Sequence, residues 1–296
     1  MPFFSVIIPS YNRADRIENT IHSIINQEFE DWELIIVDDG STDNTKEVIS
    51  AIDDNRIKYF YKENGERGAA RDFGAQKAQG EFLNFFDSDD LMLVHHLQKA
   101  YDNIQSNKET KVLCYPWLYC DETGTENGNK RTFEGDLNEV VCHKNYVHLN
   151  GTFVQSAAYK EHPFNTDREF IICEDWYFIL KLSLAYELQY ENIPSFKYIL
   201  HEGSTMSNMK SKNFEVALKY FNILIKNHHN ILAKFEKRIL FEMYSMTALA
   251  AAIEGRGFRK KAIHYLRKAL SKKPSALFSK RTLATIKHLL NVKRRS

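Results

Sequence analysis

The sequence predicts an α/β protein, a mixed and mostly parallel sheet with helices on both faces, followed by an α-helical C-terminal region. Three observations carry this. Short apolar runs rich in β-branched residues alternate with helix-spaced segments in the first third of the 296 residues, the rhythm of strands whose crossovers cover both faces of a sheet. Two of those runs stop abruptly in acidic clusters, at Asp38-Asp39 and at Asp87-Ser88-Asp89-Asp90. From about Asn213 onward the apolar residues keep helical spacing alone.

Taken in order, residues 3–9 are the first β-branched run, and residues 14–27 place Ile17, Ile21, Ile24 and Ile25 on one helical face. A second run, residues 34–37, meets Asp38-Asp39-Gly40-Ser41, a turn and cap that opens a helix over residues 45–52. A third strand is expected at residues 57–61, a helix at 69–78 and a fourth strand at 82–86. Glu174 and Asp175 suit the N-terminus of a helix running to Leu184. Further on, Phe214, Ala217, Leu218 and Phe221, then Ile239, Leu240, Met243 and Met246, mark helical faces. Residues 250–274 faintly resemble one tetratricopeptide-type hairpin, with no second copy to stack on.

Charge divides the chain. The total, 40 Lys+Arg against 39 Asp+Glu, is +1. Residues 256–296 nevertheless hold 14 Lys/Arg and no acid, which leaves 26 basic and 39 acidic residues in 1–255, a net −13. In the basic region Ala262, Ile263, Leu266 and Leu270 recur between Arg259, Lys260, Lys261, Arg267 and Lys268, so it reads as amphipathic helices suited to an anionic surface. A membrane surface is favoured; a nucleic acid is not expected, because the rest of the chain offers no aromatic-basic platform. No apolar window reaches the roughly 18 residues of a spanning helix, and the start has no basic-then-apolar signal. The expected location is the cytoplasm, with peripheral contact at the inner face of the cell membrane. Cys114, Cys120, Cys142 and Cys173 form no C-x-x-C pair and read as reduced structural residues, and Asn150-Gly151-Thr152 as a chance sequon.

What is missing narrows the chemistry. There is no G-x-G-x-x-G after the first strand, no G-x-x-x-x-G-K-[ST], no G-x-S-x-G and no H-E-x-x-H. Dinucleotide oxidoreductases, P-loop NTPases, serine hydrolases and zinc proteases lose their usual signatures. Ligands of such sheets bind beyond the carboxyl ends of the strands, where these acids converge. Carboxylates there suit a hard divalent cation held through oxygen, of the kind that carries phosphates.

Four ordered motifs now matter: Ser5-Val6-Ile7-Ile8-Pro9-Ser10-Tyr11-Asn12-Arg13, Val37-Asp38-Asp39-Gly40-Ser41-Thr42-Asp43, Gly68-Ala69-Ala70-Arg71-Asp72-Phe73-Gly74 with Ala78-Gln79-Gly80-Glu81, and Phe86-Asp87-Ser88-Asp89-Asp90. Together they resemble the inverting nucleotide-sugar glycosyltransferases of family 2, of the kind that build bacterial surface polysaccharides. The resemblance is dense over residues 3–100, looser to about 205, and absent as a motif match beyond. It implies a GT-A fold with residues 1–205 as catalytic domain and 206–296 as a helical, basic region. It also implies a nucleotide-sugar pocket of Pro9, Tyr11, Arg13, Asp39, Arg71, Asp87 and Ser88. Mn²⁺ or Mg²⁺ would sit on Asp89, with Asp90 supporting it. Cys173-Glu174-Asp175-Trp176 resembles the family's "ED" segment, which makes Asp175 the catalytic base with Glu174 beside it. The segment from Tyr198 to Ser207 is similar to one whose histidine lies near the metal, here His201.

The expected reaction is transfer of a hexose or N-acetylhexosamine, with inversion, from a UDP-sugar to an acceptor hydroxyl. A lipid-linked or growing surface glycan is the expected acceptor, its contacts drawn from variable segments such as residues 114–148. The competing reading is a catalytically silent sugar-nucleotide or glycan binder acting through its helical end. Pairs such as His95-His96 and His228-His229 match no motif and read as surface or helix residues.

Overall fold

The computed structural model describes residues 1–201 and 210–291. They form two compact units. One comprises Met1–Asn138, Tyr146–Arg168 and the chain from Phe178 to His201; the other comprises Glu139–Asn145, Glu169–Tyr177 and the helices beyond Lys210.

The first unit opens with β1 (Phe4–Ser10), α1 (Ile17–Ile25), β2 (Trp32–Asp38), α2 (Thr45–Ser50), β3 (Ile57–Tyr61), α3 (Glu66–Lys77) and β4 (Phe82–Phe85). Along the chain there follow β5 (Leu91–Met92), α4 (His96–Ser106), β6 (Val112–Cys114), β7 (Trp117–Cys120), β8 (Glu126–Lys130), α5 (Leu137–Val141), β9 (Thr152–Gln155), α6 (Ser156–Glu161), α7 (Glu174–Ala185), β10 (Leu188–Tyr190) and β11 (Phe196–Ile199), of which α5 and α7 each give residues to both units. Seven strands form one sheet in the order β10-β6-β9-β4-β1-β2-β3. Only β9 runs antiparallel to its neighbours, β4 and β6. A second sheet, β5-β11-β7-β8, has four strands. The α/β expectation holds: every residue of β1, β2 and β4 is buried, as continuous apolar strands covered on both faces require.

Register then sets the working edge. Ser10 pairs with Asp38, and Ile7 with Phe85, so β1, β2 and β4 deliver their carboxyl ends side by side. Two glycines permit the close packing. A Cβ on Gly74 would come 2.5 Å from Cγ2 of Ile7, and one on Gly80 would come 2.5 Å from the backbone nitrogen of Ser5. Helix α3 starts at Glu66, earlier than the expected residue 69, because its first turn, Glu66-Arg67-Gly68, is polar and shows no apolar period. Helix α1 starts at Ile17 rather than residue 14. The stretch before it is pinned to the next loop instead, Arg13 N donating to Thr45 Oγ1 at 3.0 Å and Ala14 N to Asp43 Oδ2 at 3.2 Å.

The second unit is helical: α8 (Ser211–Asn227), α9 (His229–Leu232), α10 (Glu236–Glu254), α11 (Arg259–Lys272) and α12 (Lys280–Asn291). Helix α10 packs on α8, α11 and α12. Its faces are thin, with Ala251 and Ala252 against Ala262 and Leu289, and Phe241 against Ala269 and Ala276. The hairpin expected over residues 250–274 is therefore α10 with α11, and its first helix begins much earlier, at Glu236. Aromatic contacts add Trp176 tilted against Phe221 and Phe170 stacked on Tyr220. All four cysteines are free, and Cys114, Cys120 and Cys142 are buried. Among the described residues no helix is long and apolar enough to cross a membrane.

Candidate functional site

At the carboxyl edge of the first unit, the loop after β1 and the loop after β2 hold each other. Asn12, at φ +51°, donates its N–H to Ser41 Oγ (2.9 Å) and accepts from Thr42 N (2.8 Å). Pro9 lies within β1, Tyr11 stands 48% exposed beyond it, and Arg13 follows. The adjacent acids of β2 separate in role. Asp38 is a structural residue, accepting from Ser41 N (2.7 Å) and from the Tyr59 hydroxyl (2.7 Å). Asp39 is buried and accepts on Oδ1 from Lys62 Nζ (2.6 Å) and Gly65 N (2.9 Å).

The turn after β4 gathers three carboxylates. Asp87 Oδ1 accepts from Nη2 of the buried Arg71 at 2.8 Å, and its N–H donates to Asn150 Oδ1 at 3.0 Å. Burial pushes the Asp87 carboxyl up, but Arg71, His148 and Arg67 outweigh it and hold it below the usual range. Asp90 is clamped, accepting from Ile199 N (2.8 Å) and from Asn150 Nδ2 (2.7 Å). Burial and the fields of Asp89 and Asp87 push its carboxyl well up. Ser88 is buried between them. Asp89 turns the other way, with Oδ2 3.1 Å from His201 Nε2 and 3.5 Å from Arg13 Nε. Residues 202–207 of the predicted His201 segment lie outside the described residues.

These groups fit a hard cation. Asp87, Asp90 and His148 can bring ligand atoms within 4.8 Å of one another. Asp89 and His201 are already in contact, and Nδ1 of His201 is buried with no hydrogen-bond partner among the described residues. Carboxylate oxygens with one imidazole in each group, His148 or His201, are the donor set of Mg²⁺ or Mn²⁺ rather than of a thiophilic metal.

Glu174 and Asp175 belong to the second unit. They open α7 just after Cys173, whose φ of +59° turns the chain sharply into the helix. Asp175 is half-buried; Oδ1 accepts from Trp176 N (2.7 Å) and Oδ2 from Asn145 Nδ2 (3.0 Å). Each oxygen thus keeps acceptor capacity in hand. Glu174 is buried. The Trp176 indole, donating to Val141 O at 2.7 Å, anchors that turn.

Sequence reasoning missed four polar residues of the first unit. Lys62 reaches Asp39, Arg67 and His148 bias Asp87, and Asn150 holds both ends of the acidic turn. Asn150 was visible only as a sequon, and it is fully buried, where a glycan would have no room. Of the pair His95-His96, expected as surface or helix residues, His96 is a helix residue and fully buried, with Nε2 3.4 Å from Asn84 Oδ1.

The family model described as Glycosyl transferase family 2 matches residues 5–178. The chain belongs to that family. A curated relative, the GalNAc(5)-diNAcBac-PP-undecaprenol beta-1,3-glucosyltransferase of Campylobacter jejuni, is 45% identical over 97 residues, which cover 31% of this chain and 31% of that enzyme. The chain thus matches about a third of that relative's length. Among solved structures, S. aureus TarS 1–349 in complex with UDP is similar with TM-score 0.67 and 20% identity, over 99% of this chain and 89% of that one. The Pyrobaculum calidifontis mannosyltransferase PcManGT, in complex with GDP-Man and Mn²⁺, is similar with TM-score 0.61 and 16% identity, over 99% of this chain and 86% of that one. At such identities these likenesses speak for the fold, and the GT-A architecture expected of family 2 is the one observed.

Proposed function

We propose that this family 2 chain is a metal-dependent, inverting glycosyltransferase that moves a hexose or N-acetylhexosamine from a nucleotide diphospho-sugar, with UDP favoured, to an acceptor hydroxyl. The acceptor is a lipid-linked or growing surface glycan. The observation that carries the reading is the turn after β4, where Arg71 holds Asp87 and Asp89 projects apart from it onto His201. Complexes of similar folds with UDP and with GDP-Man and Mn²⁺ support the donor class and the metal.

In this reading residues 1–205 carry catalysis. Pro9, Tyr11, Arg13, Asp39 and Arg71 receive base and ribose, Tyr11 packing on the base and Asp39 accepting from a pyrimidine N–H. Asp87 and Ser88 lie by the ribose and diphosphate. Asp89 and His201 would hold Mn²⁺ or Mg²⁺, which would supply Lewis-acid neutralisation of the departing diphosphate. Asp175, with Glu174 beside it, accepts the acceptor's proton as that oxygen bonds to the anomeric carbon. The bond from that carbon to the diphosphate breaks in the same displacement, and the nucleoside diphosphate leaves with the electron pair.

Thermal shift with UDP-, GDP- and TDP-sugars, with and without Mn²⁺, tests this. Expected is metal-dependent stabilisation by one nucleotide class, weakened by Asp89→Ala and retained by Asp175→Asn. Folded protein that responds to no donor would overturn the reading.

A further inference from the structure

Helix α12 buries only part of its apolar surface: Leu289 packs against Ala251, Ala252 and Ala262, but other leucines stand in the open. Its most buried positions are threonines, Thr282 and Thr285 at 1% exposure, while Leu283 and Leu290 stand 49% and 62% exposed. In the 3₁₀ turn just before it, Pro274–Phe278, Leu277 and Phe278 are 44% and 80% exposed. An ordinary surface helix does the reverse, hiding its leucines in the core and wetting its threonines. Lys280, Leu283, Lys287 and Leu290 are all exposed, and helical periodicity sets them along one stripe.

The charge of the stripe points the same way. Elsewhere in this unit several cations are committed: Lys261 pairs with Glu215, Arg281 with Glu242, and Lys268 lies near the rings of Tyr244 and Tyr265. Lys280 and Lys287 have no acidic partner among the described residues. Residues 256–296 contain no acid that could neutralise them locally. Protein interfaces are depleted in lysine at their centres, whereas leucines and an aromatic separated by lysines are what a lipid headgroup layer accommodates. The apolar tips enter the acyl boundary and the lysines snorkel to phosphate.

We propose that α12 and the turn before it form a peripheral anchor for an anionic bilayer, with Phe278, Leu283 and Leu290 inserted and Lys280 and Lys287 on the headgroups. This extends the lipid-linked acceptor of the proposed function, but vesicle binding involves neither donor nor acceptor, so either can fail alone. The test is co-sedimentation of the full chain with phosphatidylglycerol-containing vesicles and with pure phosphatidylcholine vesicles. Binding is expected to the anionic vesicles only. Each lysine contributes about fivefold, so Lys280→Gln with Lys287→Gln weakens partition about thirtyfold and leaves circular dichroism unchanged. Phe278→Ser with Leu283→Ser and Leu290→Ser weakens it at least about tenfold, since each apolar tip lost removes buried area, and leaves donor-induced thermal shifts as in wild type. Absent binding by the wild type, or partition unmoved by both variants, overturns the proposal. So does a dimer in sedimentation velocity that the same substitutions disperse while vesicles bind nothing.

Discussion

The two units bury different things. In the α/β unit the acids at the strand ends are sunk among polar partners, one oxygen at a time: Asp38 on Tyr59, Asp39 on Lys62, Asp87 on Arg71, Asp90 on Asn150 and Ile199. In the helical unit the interior is mainly apolar, with Leu232, Ile239, Leu240 and Met243 among alanines and aromatics, and ion pairs such as Arg281–Glu242 lie half-buried at its margin. The difference teaches where position is enforced. A buried carboxylate with its hydrogen bonds made has one place to be, while a half-exposed pair gains little from being in any one place.

Five measurements sharpen or break that contrast, from the largest effect down. Asp89→Ala removes a proposed cation ligand and should lower transfer by about 10³-fold, measured as sugar incorporated under saturating donor. Asp175→Asn should lower kcat about 10²- to 10³-fold with donor binding intact. That would make Asp175 the exception of the helical unit, a half-exposed group on which chemistry rather than stability depends. Equal loss of donor binding and kcat would instead tie it to the pocket.

Asn150→Ala strips the acidic turn of its clamp. It leaves Asp90 and the Asp87 N–H with unmet buried partners, at a cost of about 3 kcal/mol, read as a lower urea midpoint at unchanged slope. A neutral result would show that the network does not fix the turn. His96 supplies a pH arm. Burial first, with the field of His95, pushes its imidazole down from 6.5 to about 3 against the opposing Ser195 carbonyl. The unfolded chain gains a proton that the fold refuses, so stability is full above pH 6.5 and declines toward pH 3 by about 1.4 kcal/mol per unit. By pH 5 the loss is about 2 kcal/mol, and His96→Gln should flatten the slope. Smallest of all, Arg281→Ala should cost at most about 1 kcal/mol; a larger loss would mean that the helical unit, too, depends on placed charge.

How much could be read beforehand follows the same division. Strands β1 to β4 were legible because buried parallel strands are continuous apolar runs, and the acidic cluster of residues 87–90 because it closely follows the last of them. Asn150, His148, Lys62 and Arg67 were not. Each lies in a loop, a crossover or a polar helix turn whose sequence has no period, and each acquires meaning only by touching an acid far along the chain. His96 was equally hidden, since nothing local distinguishes a helix N-terminus in water from one under Phe86 and Phe153. In the helical unit periodicity announced α10 and α11, but α12 shows its limit. The period says that a helix forms, and neighbours decide which face they cover.

The sequence by itself determined the family, the order of the first four strands and their helices, and the acidic strand ends, because these depend on residues close together in the chain. Tertiary structure alone decided which of the adjacent acids Asp38 and Asp39 is spent on a turn, which side of Asp89 meets His201, and that Leu283 and Leu290 of α12 face outward while Leu289 packs inward. Those outcomes depend on burial and on partners brought from distant segments, and a side chain's surroundings exist only once the sheet and helices have packed.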